Sequence, residues 1–200
     1  MRKTLDKLIS WTGLLLAAVL LVAGGLLTWA ANFTNQNVHD QLASQRITMP
    51  AAAAIAEMAP ADKAALQPWA DGKTQLTTGD QAKAYADHYI LVHMNASSGG
   101  KTYSEVSAEA GKLAKDPGAD QAKVAELNGL KQSLFMGNAL RGMLLNAYAF
   151  GTIGTIATIA SIAAYVGGVV FLLLGLLGLR HAKTARDVVV TREDRTPVNA

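Results

Sequence analysis

The chain contains no cysteine. That excludes a disulfide framework, haem attached through C-x-x-C-H, a thiolate-held iron-sulfur cluster, a cysteine nucleophile and a bacterial lipoprotein anchor. Charge is scarce as well: only 16% of the 200 residues are charged, whereas half are hydrophobic. With a mean hydropathy of +0.20, this balance points to a membrane. No stretch alternates with period two for long enough to make a sheet, so the expected fold class is an all-α membrane protein. The net charge of +3 would be a weak nucleic-acid signal if it were spread evenly. Its distribution follows from the hydrophobic segments.

Residues 10–31 read SWTGLLLAAVLLVAGGLLTWAA, with no charge. This predicts a first transmembrane helix over 10–31. Trp11 and Trp29 lie 18 positions apart, which at 1.5 Å per residue is roughly 27 Å, close to the thickness of a hydrocarbon core. They read as interfacial anchors. The competing reading is a secretory signal peptide, with Arg2, Lys3 and Lys7 as its basic start and residues 28–31 as a small-residue cleavage site, but the apolar run exceeds the usual signal length. Residues 147–179 form a second charge-free segment. As a helix it would reach about 50 Å, too long for one crossing and too short for two. The membrane part is expected at 160–179, ending in VVFLLLGLLGL, with 147–159 projecting beyond the bilayer or packing on another protein.

Arg2, Lys3 and Lys7 precede the first segment, and Arg180, Lys183, Arg186, Arg192 and Arg195 follow the second. Residues 32–146 hold ten basic and eleven acidic side chains. The basic excess therefore lies in the two tails, which predicts that residues 1–9 and 180–200 are cytoplasmic and that 32–146 form an extracytoplasmic domain. Nucleic acid is not an expected partner.

That domain reads as helical. Thr78-Gly79-Asp80-Gln81 and Thr102-Tyr103-Ser104-Glu105 are capping boxes. Ala82, Tyr85, Tyr89, Val92 and His93 follow the first at helical spacing, and Asp116-Pro117-Gly118 breaks the helix begun by the second. Val124, Leu127, Leu130 and Leu134 mark a third helix that is open to continuing into the second span, with Gly129, Gly137 and Gly142 as weak points. Pro50 and Pro60 each suit the first turn of a short helix.

Catalytic signals are poor. Gly99-Gly100-Lys101-Thr102 looks like the end of a phosphate-binding loop, but Asn95 stands where a glycine is needed and no strand precedes it, so a glycine-rich turn capped by Thr102 is expected. A non-haem iron site needs two histidines and a carboxylate on one metal, and Asp40 and Asp87 neighbour His39 and His88. However, His88 and His93 are five apart, about 140° around a helix. No metal, cofactor or catalytic residue is therefore expected, and Asp116 and Asp120 read as solvated cap residues.

Residues 151–165 read GTI GTI ATI ASI AAY. A period of three drifts about 60° per repeat on a 3.6-residue helix, so the small positions are expected to wind around it and accept several neighbours. Gly151, Gly154, Ala157, Ser161, Ala164 and Gly168 form the candidate interface for partner helices, with Thr152, Thr155 and Thr158 placed to bond across.

The run SLFMGNALRGMLLNAYAF at 133–150, entering a glycine-rich span, resembles the actinobacterial family of prokaryotic respiratory supercomplex association factors. The segment KTYSE at 101–105 and the start MRKTLDKLISWTG are similar too, so the resemblance covers nearly the whole chain. It implies a non-catalytic accessory subunit of the bacterial plasma membrane. The implied partners are integral membrane subunits of the cytochrome bcc and cytochrome c oxidase complexes, within the lipid bilayer. Two other classes stand beside it. A two-span sensor with a small-ligand-binding outer domain is opposed by a cytoplasmic tail of only about 21 residues, shorter than any ordinary domain. A metal-dependent enzyme is opposed by the histidine spacing. The charge asymmetry makes a direct prediction: in intact cells, Lys101→Cys should be labelled by a membrane-impermeant thiol reagent, and reporters fused at Met1 and Ala200 should be cytoplasmic. Labelling of Lys101→Cys only from the cytoplasm would reverse the topology.

Overall fold

The structure is a computed structural model that describes residues 2–184, with side chains from Thr4 onward. The tail residues Arg186, Arg192 and Arg195 lie outside the described residues. Among the described residues the fold is all-helical, with no strand and only two isolated bridges, Thr48 to Gln75 and Ala51 to Asp71. The α-helices are α1 (Arg2–Gln45), α2 (Pro60–Leu66), α3 (Gly79–Tyr85), α4 (Leu91–Ser98), α5 (Tyr103–Leu113) and α6 (Gln121–Thr184).

Both long helices outrun the expected spans. α1 has 44 residues and α6 has 64, each with a window of mean hydropathy above 2, so both are long and apolar enough to cross a membrane. α1 does not stop where the sequence turns polar at Asn32 but runs on to Gln45. No glycine or proline lies between Gly25 and Pro50, so nothing in the backbone ends the helix when the side chains change character. α6 joins the third expected helix and the second span without a break. Its glycines were the expected weak points, yet one of them serves packing: a Cβ on Gly137 would sit 3.0 Å from the Met94 Cγ.

The described residues divide into two compact units, residues 2–29 with 157–184, and residues 30–156. In the first, α1 and α6 run antiparallel, with Gly13 near Gly175, Leu21 on Gly168 and Tyr165 on Gly24. The buried positions of α1 are Ser10, Ala17 and Gly24, and those of α6 are Ser161, Ala164, Gly168, Gly175 and Ala182. Ser10, Ala17 and Gly24 are spaced by seven, as are Ser161, Gly168, Gly175 and Ala182. A period of seven keeps one face of each helix on the other, and small residues there let the backbones approach closely. Leucines from α1 fill the space: a Cβ on Gly168 would lie 3.0 Å from Leu21 Cδ2, and one on Gly175 2.9 Å from Leu14 Cδ2.

The second unit has the larger core, with Leu42, Met49, Ile55, Leu66, Leu76 and Leu144 fully or almost fully buried. Both expected capping boxes are present, at Thr78 and Thr102, each with reciprocal bonds to its third residue, Gln81 or Glu105. Pro60 occupies the first turn of α2 as expected. Pro50 does not begin a helix: the stretch after it makes only a 3-10 turn over Ala52–Ile55, and the segment before it pairs with residues 74–76, Met49 N–H donating to the Thr74 carbonyl and Leu76 N–H to the Ile47 carbonyl. Gly99 and Gly100, both with positive φ, make the turn into α5, and Lys101 pairs with Glu109 at 2.7 Å.

The tight seam of the first unit yields a stability prediction. Gly168→Leu adds bulk where Leu21 and the Ala17 carbonyl already press. Overpacking of this kind costs about 1 to 3 kcal/mol, so the purified chain in mild detergent should melt several degrees lower. Leu173→Phe, at a position 55% exposed, is the matched control and should melt unchanged. Equal melting of the two variants would show that the seam is loose.

Candidate functional site

The six small residues expected to meet partner helices are turned toward their own chain. In the first unit Ser161, Ala164 and Gly168 are buried and Ala157 is half-buried. In the second, Gly151 lies over Gly79, with 3.3 Å between a Cβ built on it and the Gly79 Cα, and Gly154 lies against the Asn35 side chain. The expected winding of small positions around α6 does not occur. The buried positions follow the seven-residue spacing, and the residues that wind around the outside are the isoleucines Ile153, Ile156, Ile159 and Ile162, all more than half exposed. Thr152 and Thr155 do not bond across to another helix; each donates to the carbonyl four residues earlier, Tyr148 or Gly151. Trp11 and Trp29 are exposed at 64% and 68%.

The second unit carries a polar site that the sequence reading missed. Between α3 and α4 the helix widens into a π-turn over Ala86–Ile90, a feature that shifts the register of the residues on either side. The wide turn presents Asp87 and His88 to two different elements. Asp87 Oδ2 accepts from Lys83 Nζ at 2.6 Å and Oδ1 from Arg141 Nη2 of α6 at 2.8 Å. His88 Nδ1 lies 2.7 Å from Asp62 Oδ1 of α2. One turn therefore ties the α3–α4 helix to α2 on one side and to α6 on the other. Lys83 also sits 5.5 Å from the Tyr148 ring centroid. Partial burial pushes the Asp87 carboxyl up, but the hydrogen bonds from Lys83 and Arg141 and their charges outweigh it, and the net shift is downward. Hydrogen bonding to Asp87 and its charge hold the Lys83 ammonium above its usual range. A clue was present in sequence: Arg141 is the sole charge between Lys131 and Arg180, and a lone cation in so apolar a stretch calls for a carboxylate.

Downstream, Tyr85, Tyr89 and His93 stack in series, with ring centroids 4.9 and 4.3 Å apart, and His93 Nδ1 donates to the Tyr89 carbonyl at 2.7 Å. Burial raises the Tyr85 phenol. His88 and His93 thus serve separate partners, and His39 lies elsewhere, on a cleft of about 590 Å³ with Asn35, Thr78, Asp80, Tyr148 and Thr155. Among the described residues, no three His, Asp or Glu side chains converge as metal ligands would. Asp87, held by two cations, is engaged as a structural anion and is not free to act as a base.

No family model matches the chain, and no curated protein or solved structure matches it.

The Asp87 lock predicts an acid-sensitive step in stability. A carboxylate whose pKa is lowered by folding contributes stability that is full above its unfolded value, near 3.8, and is lost as pH falls through the lower folded value. In melting curves taken from pH 5 downward, Asp87→Asn should show a smaller loss of melting temperature than the unaltered chain, while starting from a lower value. Parallel curves would mean that Asp87 does not carry this linkage.

Proposed function

We propose that the chain is a non-catalytic, two-span accessory subunit of the bacterial plasma membrane that associates with a respiratory supercomplex of menaquinol:cytochrome c reductase and cytochrome c oxidase. Residues 32–146, with their ten basic and eleven acidic side chains, would lie on the extracytoplasmic side, with both termini cytoplasmic. The observation that carries an associating role is the outer surface of α6. Its small residues are spent on its own partner helix, and its exposed side chains are Ile153, Ile156, Ile159, Ile162 and Val166, an apolar surface that suits lipid or the helices of another membrane protein. The identity of the partner rests on the resemblance of residues 133–150 and of both other segments to the supercomplex-associated family.

This moves the expected interface from the small residues to the isoleucines. A sensor reading has one observation in its favour, the cleft beside His39 and Asp80.

Affinity purification of the tagged full chain in mild detergent, followed by mass spectrometry, tests the proposal. Cytochrome bcc and cytochrome c oxidase subunits should be recovered. Truncating two outward anchors, Ile156→Ala with Ile159→Ala, should lower recovery about fivefold or more at equal membrane abundance, since an interface anchor is typically worth more than 1 kcal/mol. Val22→Ala on the exposed face of α1 should leave it unchanged. Recovery of no respiratory subunit by the unaltered chain would defeat the reading. Undiminished recovery with the double variant would remove the isoleucine face from it.

A further inference from the structure

In the second unit, residues 33–45 of α1 and 143–150 of α6 line a groove of about 420 Å³. Val38, Leu42 and Ala147 line it, the first two also part of the buried core. Three large apolar side chains of the groove stand in the open: Phe33 is 58% exposed, Met143 62% and Phe150 53%. Beside them are four exposed amides, Asn37, Gln41 and Gln45 of α1 and Asn146 of α6. None of the residues lining the groove is charged. Asp40 and Arg46, in the same stretch of α1, are exposed but do not line it.

On the membrane-spanning reading, lipid tails do not reach this groove. Phe33 stands about one turn beyond Trp29 in the sequence of α1, and the groove runs on to Gln45, about 18 Å of helix. Large apolar side chains left open to water in one groove mark a surface for association. With aromatic side chains of about 150–250 Å² each, the three apolar residues and four amides offer on the order of 600 Å² per copy, so two such faces reach the roughly 1,200 Å² at which stable interfaces begin.

The lack of charge identifies the partner. Two copies inserted in one membrane with the same topology are related by a twofold axis along the membrane normal, so a residue near the axis meets its own copy at its own level. A charged side chain there repels itself. An amide carries both donors and an acceptor and pairs with itself. Gln41 Nε2 donates to Asn37 Oδ1, which leaves the Asn37 amino group and the Gln41 carbonyl oxygen for an amide opposite.

We propose that this groove is the contact between two copies of the chain. The α1 and α6 segments of both copies form a four-helix bundle outside the membrane. Phe33, Met143 and Phe150 of one copy fill the groove of the other, and the amides fix the register as a buried Asn does in a coiled coil. The inference rests on the membrane-spanning reading with both termini on one side, and not on any respiratory partner.

The test uses the purified full chain in mild detergent, with mass read by native mass spectrometry. The unaltered chain should be a dimer. Met143→Ala with Phe150→Ala should raise the dissociation constant about tenfold or more, as loss of two interface anchors does. Gln41→Glu and Gln41→Lys, each setting a charge against its own copy, should each be monomeric, and mixing the two should restore a dimer, which misfolded chains could not do. Gln36→Glu, exposed on α1 outside the groove, should remain dimeric. Because the chain has no cysteine, Asn37→Cys, Gln41→Cys and Gln45→Cys can each be treated in membranes with a short bis-maleimide, and parallel copies should cross-link at all three. A monomeric unaltered chain would overturn the proposal, and lipid retained by that monomer would assign the groove to lipid. Dimers that persist in both Gln41 charge variants would overturn it as well. Cross-linking at one position only would mean antiparallel copies and would defeat the arrangement that the membrane reading requires.

Discussion

The structure depends on how closely two helix backbones can approach. In a membrane there is no hydrophobic gain from bringing one apolar helix to another, since lipid tails are as apolar as leucine. What holds a pair together is close contact, and contact is limited by side chains. Ser10, Ala17 and Gly24 on α1 and Ser161, Gly168, Gly175 and Ala182 on α6 remove that limit at every second turn. Leu14 and Leu21 then fill the glycine positions opposite them. Once the seam is closed in this way, the larger side chains are left outside. The exposed isoleucines and valines of α6 are a consequence of the seam, and with them the surface available to lipid or to another protein.

The same principle appears in the second unit in another form. Gly79, in the first turn of α3, lies against the backbone of α6: a Cβ there would come within 3.0 Å of the Tyr148 Cα. The capping box that begins α3 is thereby placed beside α6, and the π-turn that follows brings Asp87 to Arg141. Local chemistry and tertiary contact support each other here. A carboxylate with two cations and an imidazole with its own carboxylate hold the α3–α4 helix between α2 and α6. The fit is not complete: Arg141 Nε is buried without a hydrogen-bond partner among the described residues, as are Ser98 Oγ and, in the first unit, Asp6 Oδ2.

Several expectations failed for a shared reason. The helix boundary at residue 31 followed polarity, but a helix ends where its backbone must end, and α1 has no breaker until after Gln45. The triplet GTI GTI ATI ASI invites a period of three, whereas two antiparallel helices in continuous contact need a period of seven, close to two full turns. The competing period was visible in the spacing of small residues on α1, but a hydropathy scan gives Gly, Ala and Ser little weight. The π-turn also changes the geometry between His88 and His93 without any signature in the residues themselves, although the two still serve separate partners.

By itself, the sequence determined the helical class, the two long apolar helices, the capping boxes at Thr78 and Thr102 and the break before α6, because these depend on residues within a few positions of one another. Composition, periodicity and side chain to backbone bonds act over that range. Tertiary structure alone decided which face of α6 is spent on α1 and that Asp87 answers Arg141 fifty-four positions away. Those outcomes turn on distances between segments remote in the chain, where an ångström of backbone approach separates a buried seam from an open surface, and no local pattern encodes it.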